Sequence, residues 1–163
     1  MKKNLKLEFL LLLILGALTS LSLPPFNFFI INFFTLGIFF GFLFKRLSQQ
    51  LPKRFFFYYG WCFGFSYFLS SLYWITISLT FDKDFNFLIP ISLILIPSFL
   101  ALFYGLITFF FYLFNPKNIL SSFFLFSSLF GVIEFVRGTI LTGFPWNLIV
   151  YSFSESLNFI SII

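Results

Sequence analysis

Glu134-Phe135-Val136-Arg137-Gly138-Thr139-Ile140-Leu141-Thr142-Gly143-Phe144-Pro145-Trp146-Asn147 is the stretch whose reading decides the fold. Ahead of it lies an apolar run, residues 119–133, without a single charged side chain. Glu134 and Arg137 then stand three residues apart, and Gly143, Pro145 and Asn147 follow in a segment that cannot continue a straight helix. Such a carboxylate and guanidinium are unremarkable in water and costly in lipid, where they need a partner or a purpose. Composition settles which solvent surrounds them. The chain is 60% hydrophobic and 9% charged, too few charges to cover the apolar surface of a water-soluble domain of 163 residues. It reads as an all-α integral membrane protein: a multi-pass helical bundle of about five complete spans and the start of a sixth.

Working outward from that stretch, the spans fall at residues 7–23, 26–44, 55–79, 87–114 and 119–136, with a polar corner at 137–147 and an incomplete sixth span from about 157. All of them belong to one transmembrane bundle covering 1–163. Pro24-Pro25 breaks the chain after the first span, because neither prolyl nitrogen can donate a helix bond. The Lys-rich start and Leu core of that first span also fit a cleavable signal peptide. Pro97 sits inside the fourth span and predicts a kink, whereas Pro90 lies in its first turn.

The net charge of +5 does not point to nucleic acid, since no basic stripe exists to follow a phosphate backbone. The basic residues instead cluster between apolar runs. Lys2, Lys3, Lys6, Lys45, Arg46, Lys53, Arg54 and Lys117 share one side of the predicted topology, against Lys83 and Arg137 on the other. That asymmetry predicts a cytoplasmic N-terminus, with the 137–147 corner on the far face. The absence of histidine excludes a His-based triad and a His-ligated metal or haem site, and one cysteine excludes an internal disulfide. Neither a metal nor a cofactor is expected.

Helices in lipid associate through close backbone approach. Gly37/Gly41, Gly60/Gly64, Ser66/Ser70, Ala101/Gly105 and Ser127/Gly131 all have the small-xxx-small spacing that permits it. Among groups that could carry chemistry, Cys62 has only aromatic neighbours and reads as structural. Asp82 and Asp84 flank Lys83 in a solvated turn, and Trp61, Tyr73, Trp74 and Trp146 fit an interfacial aromatic belt. Glu134 and Arg137 can pair directly at i, i+3, either as an ion pair that makes insertion tolerable or with Arg137 free to bind a phosphate or orient an outer domain. Around Pro145, free backbone groups must be satisfied by protein or interfacial water. Gly143, Phe144, Pro145, Trp146 and Asn147 therefore form either a shaped, lipid- or substrate-facing surface, with Trp74 beside it, or a plain connecting loop.

The order of motifs is familiar. Leu23-Pro-Pro-Phe26, Gly60-Trp-Cys-Phe-Gly-Phe-Ser-Tyr-Phe68, Tyr73-Trp-Ile75, Ala101-Leu-Phe-Tyr-Gly105 and the Glu134…Arg137-Gly…Thr142-Gly-Phe-Pro-Trp-Asn147 string together resemble the apolipoprotein N-acyltransferases. Phe130 stands where that family often has Trp, and Val150 where Gly is usual. The resemblance implies a bacterial inner-membrane enzyme that moves an acyl chain from a phospholipid donor to the N-terminal amine of a diacylglyceryl apolipoprotein. In that family the chemistry belongs to a nitrilase-like domain with a Glu–Lys–Cys triad inserted late in the bundle. No such domain occurs in these residues, and Cys62 falls on the wrong side of the predicted topology to replace its nucleophile. No catalytic residue is therefore carried over, and the chain reads as the membrane region of such an enzyme, inactive alone. A small multi-span transporter or channel, and a noncatalytic membrane assembly factor, are the competing classes.

Overall fold

The computed structural model describes residues 5–49, 51–81, 83–140 and 147–153. Six α-helices follow in order: α1 Leu5–Thr19, α2 Ile30–Leu47, α3 Lys53–Leu72, α4 Ile75–Ser78, α5 Ile89–Phe114 and α6 Ile119–Ile140. Short 3-10 turns occupy Ser20–Ser22, Lys83–Leu88 and Ile149–Phe153, and no strand occurs among the described residues. The protein is an all-α membrane bundle. Four segments are long and apolar enough to cross a bilayer: Leu5–Ser22, Ile30–Leu47, Asn86–Phe114 and Ile119–Ile140. Their outward faces carry Phe33, Phe34, Ile94, Leu95, Phe124 and Phe135, all exposed, as a lipid-facing surface requires.

Helix boundaries follow local chemistry. The Pro24-Pro25 step, a cis peptide, ends the first helical segment, and Asn27 (φ 55°) turns the chain back toward α2. Pro52 precedes the first residue of α3, where its missing N–H costs no helix bond. At the end of α5, Asn115 takes the left-handed conformation (φ 42°) and Pro116 prevents continuation. Asn118 Oδ1 then accepts the Leu120 N–H at 2.9 Å and caps the start of α6.

α3 lies at the centre, packed on α1 along one face and α5 along another. It buries Phe56, Tyr59, Phe63, Tyr67 and Phe68 completely. At 20 residues it is long enough to span, yet it is the one long helix not apolar enough to be counted among the four. Shielded from lipid by its neighbours, it can carry Tyr, Gly and Ser. Gly60 and Gly64 make its contact with α5 possible. A Cβ on Gly60 would overlap the Tyr104 carbonyl oxygen, and one on Gly64 would stand 2.8 Å from the Tyr104 Cβ. On the opposite face Gly16 of α1 meets the Phe63 carbonyl and Ser66 with the same intimacy. The Gly60/Gly64 and Ala101/Gly105 pairs thus do what their spacing suggests. Gly37, Gly41 and Gly131 do not: a Cβ on any of them would meet nothing within 4 Å, so their spacing marks no packed seam among the described residues.

Aromatic rings fill the remaining core. Phe39 stacks on Phe63 with centroids 4.3 Å apart, and Tyr104 meets Phe130 edge-on at 5.1 Å. Trp61, assigned from sequence to an interfacial belt, instead stacks on Phe65 and donates to the Ser98 carbonyl at 3.1 Å, joining α3 to α5.

Two boundaries differ from the sequence reading. The span expected at 55–79 is helical only to Leu72; Tyr73 and Trp74 form a turn before the short α4. The span expected to end at 136 continues to Ile140, so Arg137 lies inside α6 and not in the loop after it.

Candidate functional site

The polar corner is built where the end of α6, the end of α3 and the segment from Asn147 onward converge. Arg137 is the organising residue. Its side chain is 0% exposed. Nη2 and Nε donate to Glu134 Oε1 at 2.8 and 3.1 Å, and the guanidinium lies 4.8 Å from the centre of the Phe68 ring on α3. Nη2 also reaches the Asn147 carbonyl at 3.4 Å. The other Glu134 oxygen, Oε2, accepts the Ile149 backbone N–H at 2.9 Å. A single i, i+3 pair on α6 therefore holds the returning chain at two backbone positions.

Asn147 completes the junction. It adopts φ 41°, a left-handed conformation that asparagine tolerates better than most residues. Its Nδ2 donates to the Ser71 carbonyl in the last turn of α3 at 2.9 Å, and its own carbonyl accepts the Tyr67 hydroxyl at 2.9 Å. The corner is thus pinned to α3 by three polar side chains, Arg137, Asn147 and Tyr67. In this arrangement the guanidinium holds protein groups together and does not face outward to meet a phosphate.

Trp74, in the turn after α3, is 48% exposed. It rims an open cavity of about 410 Å³ with Leu23, Pro24, Ser71, Asn147 and Tyr151. Ser71 Oγ is buried there without a hydrogen-bond partner among the described residues. The structure therefore brings Glu134, Arg137 and Asn147 into one network and places Trp74 with Asn147 on the neighbouring cavity. The remaining candidates, Gly143, Phe144, Pro145 and Trp146, lie outside the described residues, as do Asp82 and the start of a sixth span.

A second polar cluster, unforeseen from sequence, sits at the opposite end. Glu8 of α1 pairs with Arg46 Nη2 at 2.5 Å and accepts the Tyr59 hydroxyl at 2.7 Å, while Arg46 Nη1 donates to Gln49 at 2.6 Å. Its one sequence signal was a lone carboxylate within an apolar helix, which demands a partner. Two further bonds tie α2 to its surroundings: Thr19 to Thr35 at 2.9 Å and Asn32 Nδ2 to Ser152 at 2.7 Å. Cys62 is free and half-buried on α3, in contact with the hydrophobic core. No group of three potential metal ligands occurs among the described residues.

Fold and site together define a multi-pass membrane bundle whose central helix is gripped at one end by a buried ion pair on α6. The chain belongs to the apolipoprotein N-acyltransferase family, matching the N-terminal domain of these proteins over residues 15–163. It is 37% identical over 153 residues to an apolipoprotein N-acyltransferase of Agrobacterium fabrum, covering 83% of this chain and 27% of that one. Against the corresponding protein of Rickettsia prowazekii it is 38% identical over 148 residues, covering 88% and 28%. Against that of Brucella melitensis the figures are 34% over 147 residues, 84% and 27%. The chain spans little more than a quarter of the length of these relatives.

Proposed function

We propose that this chain is the membrane region of an enzyme that transfers an acyl chain from a phospholipid to the N-terminal amine of a diacylglyceryl-cysteine, in the maturation of bacterial lipoproteins. The observation that carries the reading is the family match over residues 15–163, which contains the Glu134–Arg137–Asn147 corner. The described residues contain no assembled nucleophile and base: Cys62 packs on hydrophobic core, and Glu134 is engaged by Arg137 and the Ile149 N–H. The role of these residues is to hold the corner rigid, so that whatever chemistry is joined to the bundle meets lipid and lipoprotein at a fixed height. The cavity beside Trp74 and Asn147 is the surface on which those substrates would first be met.

The excess of basic residues on the side of Lys45 and Lys117 supports a bacterial inner-membrane location with the N-terminus cytoplasmic and the polar corner on the opposite face. A solute pathway receives no comparable support, because Glu134 and Arg137 are directed at each other and at backbone groups.

The test joins this chain to the remaining three-quarters of a relative and assays N-acylation of a diacylglyceryl peptide by mass spectrometry. We expect the chimera to acylate the peptide and this chain by itself to be inactive. A chimera that inserts and folds yet leaves the peptide unmodified would refute the reading, and so would acylation by this chain alone.

A further inference from the structure

Along the side of α2 facing α6 the two helices meet only briefly. An open apolar groove of about 300 Å³ lies between them, lined by Phe33, Gly37 and Phe40 of α2 and Phe123, Ser127 and Phe130 of α6. Gly37 presents empty space to it, with nothing within 4 Å of where a Cβ would stand. Phe40, in turn, packs on Phe44 and on Phe123 at 6.1 and 5.6 Å between ring centres. Phe44 then lines a second open cavity, of about 280 Å³, whose floor it shares with Leu47 and whose rim carries Lys45 and Lys117. Both ammoniums are exposed, and neither pairs with a carboxylate among the described residues. Lys45 lies in the last turn of α2 and Lys117 just before α6, so two separate segments bring their charges to one notch.

We infer that this face is a binding site for an anionic phospholipid, with its phosphate between Lys45 and Lys117 and one acyl chain along the α2–α6 groove. Three features meet in that occupant. The notch supplies two positive charges with no internal counter-charge, which an anionic headgroup complements. The groove beyond it is apolar and opens sideways to lipid. The stripe Phe33, Gly37, Phe40, Phe44 keeps to one face of α2, and its eleven-residue separation spans roughly 16 Å at the helical rise. One leaflet of a bilayer with a hydrocarbon core of about 30 Å offers about the same depth. A soluble anion would use the notch and leave the groove empty. This lipid site stands on the face of α2 and is independent of the acyl-transfer reading.

The experiment measures lipid binding to the purified full chain in detergent by native mass spectrometry. Phosphatidylglycerol is compared with phosphatidylcholine of identical chains, and glycerophosphoglycerol and inorganic phosphate serve as tail-free competitors. We expect phosphatidylglycerol to be preferred and K45Q/K117Q to weaken it about 30-fold, the combined effect of two basic side chains at a membrane surface. K45R/K117R should retain the preference and show that charge, not packing, was lost. Gly37→Leu, which fills the groove without touching the notch, should also weaken phosphatidylglycerol binding while leaving helical content unchanged. Equal binding of the two lipids overturns the proposal, and so does a preference that survives K45Q/K117Q. Displacement by the tail-free competitors as readily as by intact lipid, or full binding by Gly37→Leu, would show that no acyl chain occupies the groove and would equally overturn it.

Discussion

Replacing Arg137 with Met removes the guanidinium while keeping most of the volume of its stem, and it isolates what the buried ion pair contributes. Four contacts are lost: the bonds to Glu134 Oε1 at 2.8 and 3.1 Å, the longer one to the Asn147 carbonyl at 3.4 Å, and the approach to Phe68 at 4.8 Å. Glu134 keeps the Ile149 N–H but loses its counter-charge, and its side chain is only 12% exposed. Hydrogen bonds to charged groups contribute roughly 1.5–3 kcal/mol each, and a desolvated cation over a ring about 2 kcal/mol. Part of that sum merely offsets desolvation of the arginine, so the net loss should match that of other broken buried pairs, about 3–5 kcal/mol. The double variant E134Q/R137M removes the orphan carboxylate as well. It should therefore recover most of the loss and lie within about 2 kcal/mol of the parent. Reversible unfolding in mixed micelles, followed by tryptophan fluorescence, measures both. Equal destabilisation of the single and double variants would refute the argument, since the orphan charge would then contribute nothing. A loss below about 1 kcal/mol for R137M would place the pair among solvent-screened surface bridges, against its burial.

Three further outcomes are checked by the same unfolding measurement. Tyr67→Phe deletes the 2.9 Å bond to the Asn147 carbonyl and little else, so it should cost about 1 kcal/mol; no change would mean that Arg137 alone holds that carbonyl. Gly60→Ala should destabilise by about 1–3 kcal/mol because its Cβ would overlap the Tyr104 carbonyl oxygen, whereas Gly37→Ala, open on all sides, should be neutral or stabilising by up to about 1 kcal/mol. Glu8→Gln leaves the largely buried Arg46 without its counter-charge while permitting the Tyr59 bond, and should cost about 1–3 kcal/mol; the pair's 2.5 Å contact makes a silent variant hard to reconcile with this geometry.

The apolar helices were legible because length and composition suffice to find them. The Glu134–Arg137 pair was legible because both partners lie on one turn of one helix. What escaped was non-local. Glu8 and Arg46 are 38 residues apart, and nothing near either names the other. The break at Tyr73–Trp74 has no proline or glycine to announce it, and Tyr73 and Trp74 keep right-handed helical dihedrals. Yet the Ser71 carbonyl, in the last turn of α3, is engaged by a side chain 76 residues further on. Small-xxx-small spacing marked two seams correctly and failed at Gly37/Gly41, because spacing shows that a face is small and not that another helix lies against it.

The same distinction explains why the helix that organises the bundle is the least conspicuous in the sequence. A helix facing lipid must be apolar all round its exposed surface, so hydropathy finds it. α3 faces other helices and is constrained by fit. Gly60 and Gly64 admit α5, Ser66 receives Gly16 of α1, and Tyr59 and Tyr67 send hydroxyls to the polar clusters at the two ends. Those two tyrosines are eight residues apart, roughly 12 Å along the axis, so a single rigid helix connects the Glu8–Arg46 pair to the Glu134–Arg137 corner. Each tyrosine ring is fully buried while its hydroxyl reaches a charge cluster, which neither phenylalanine nor serine could achieve. The lower hydropathy of α3 is therefore a consequence of its central position: polar groups are tolerable there because every one of them meets protein before it meets lipid.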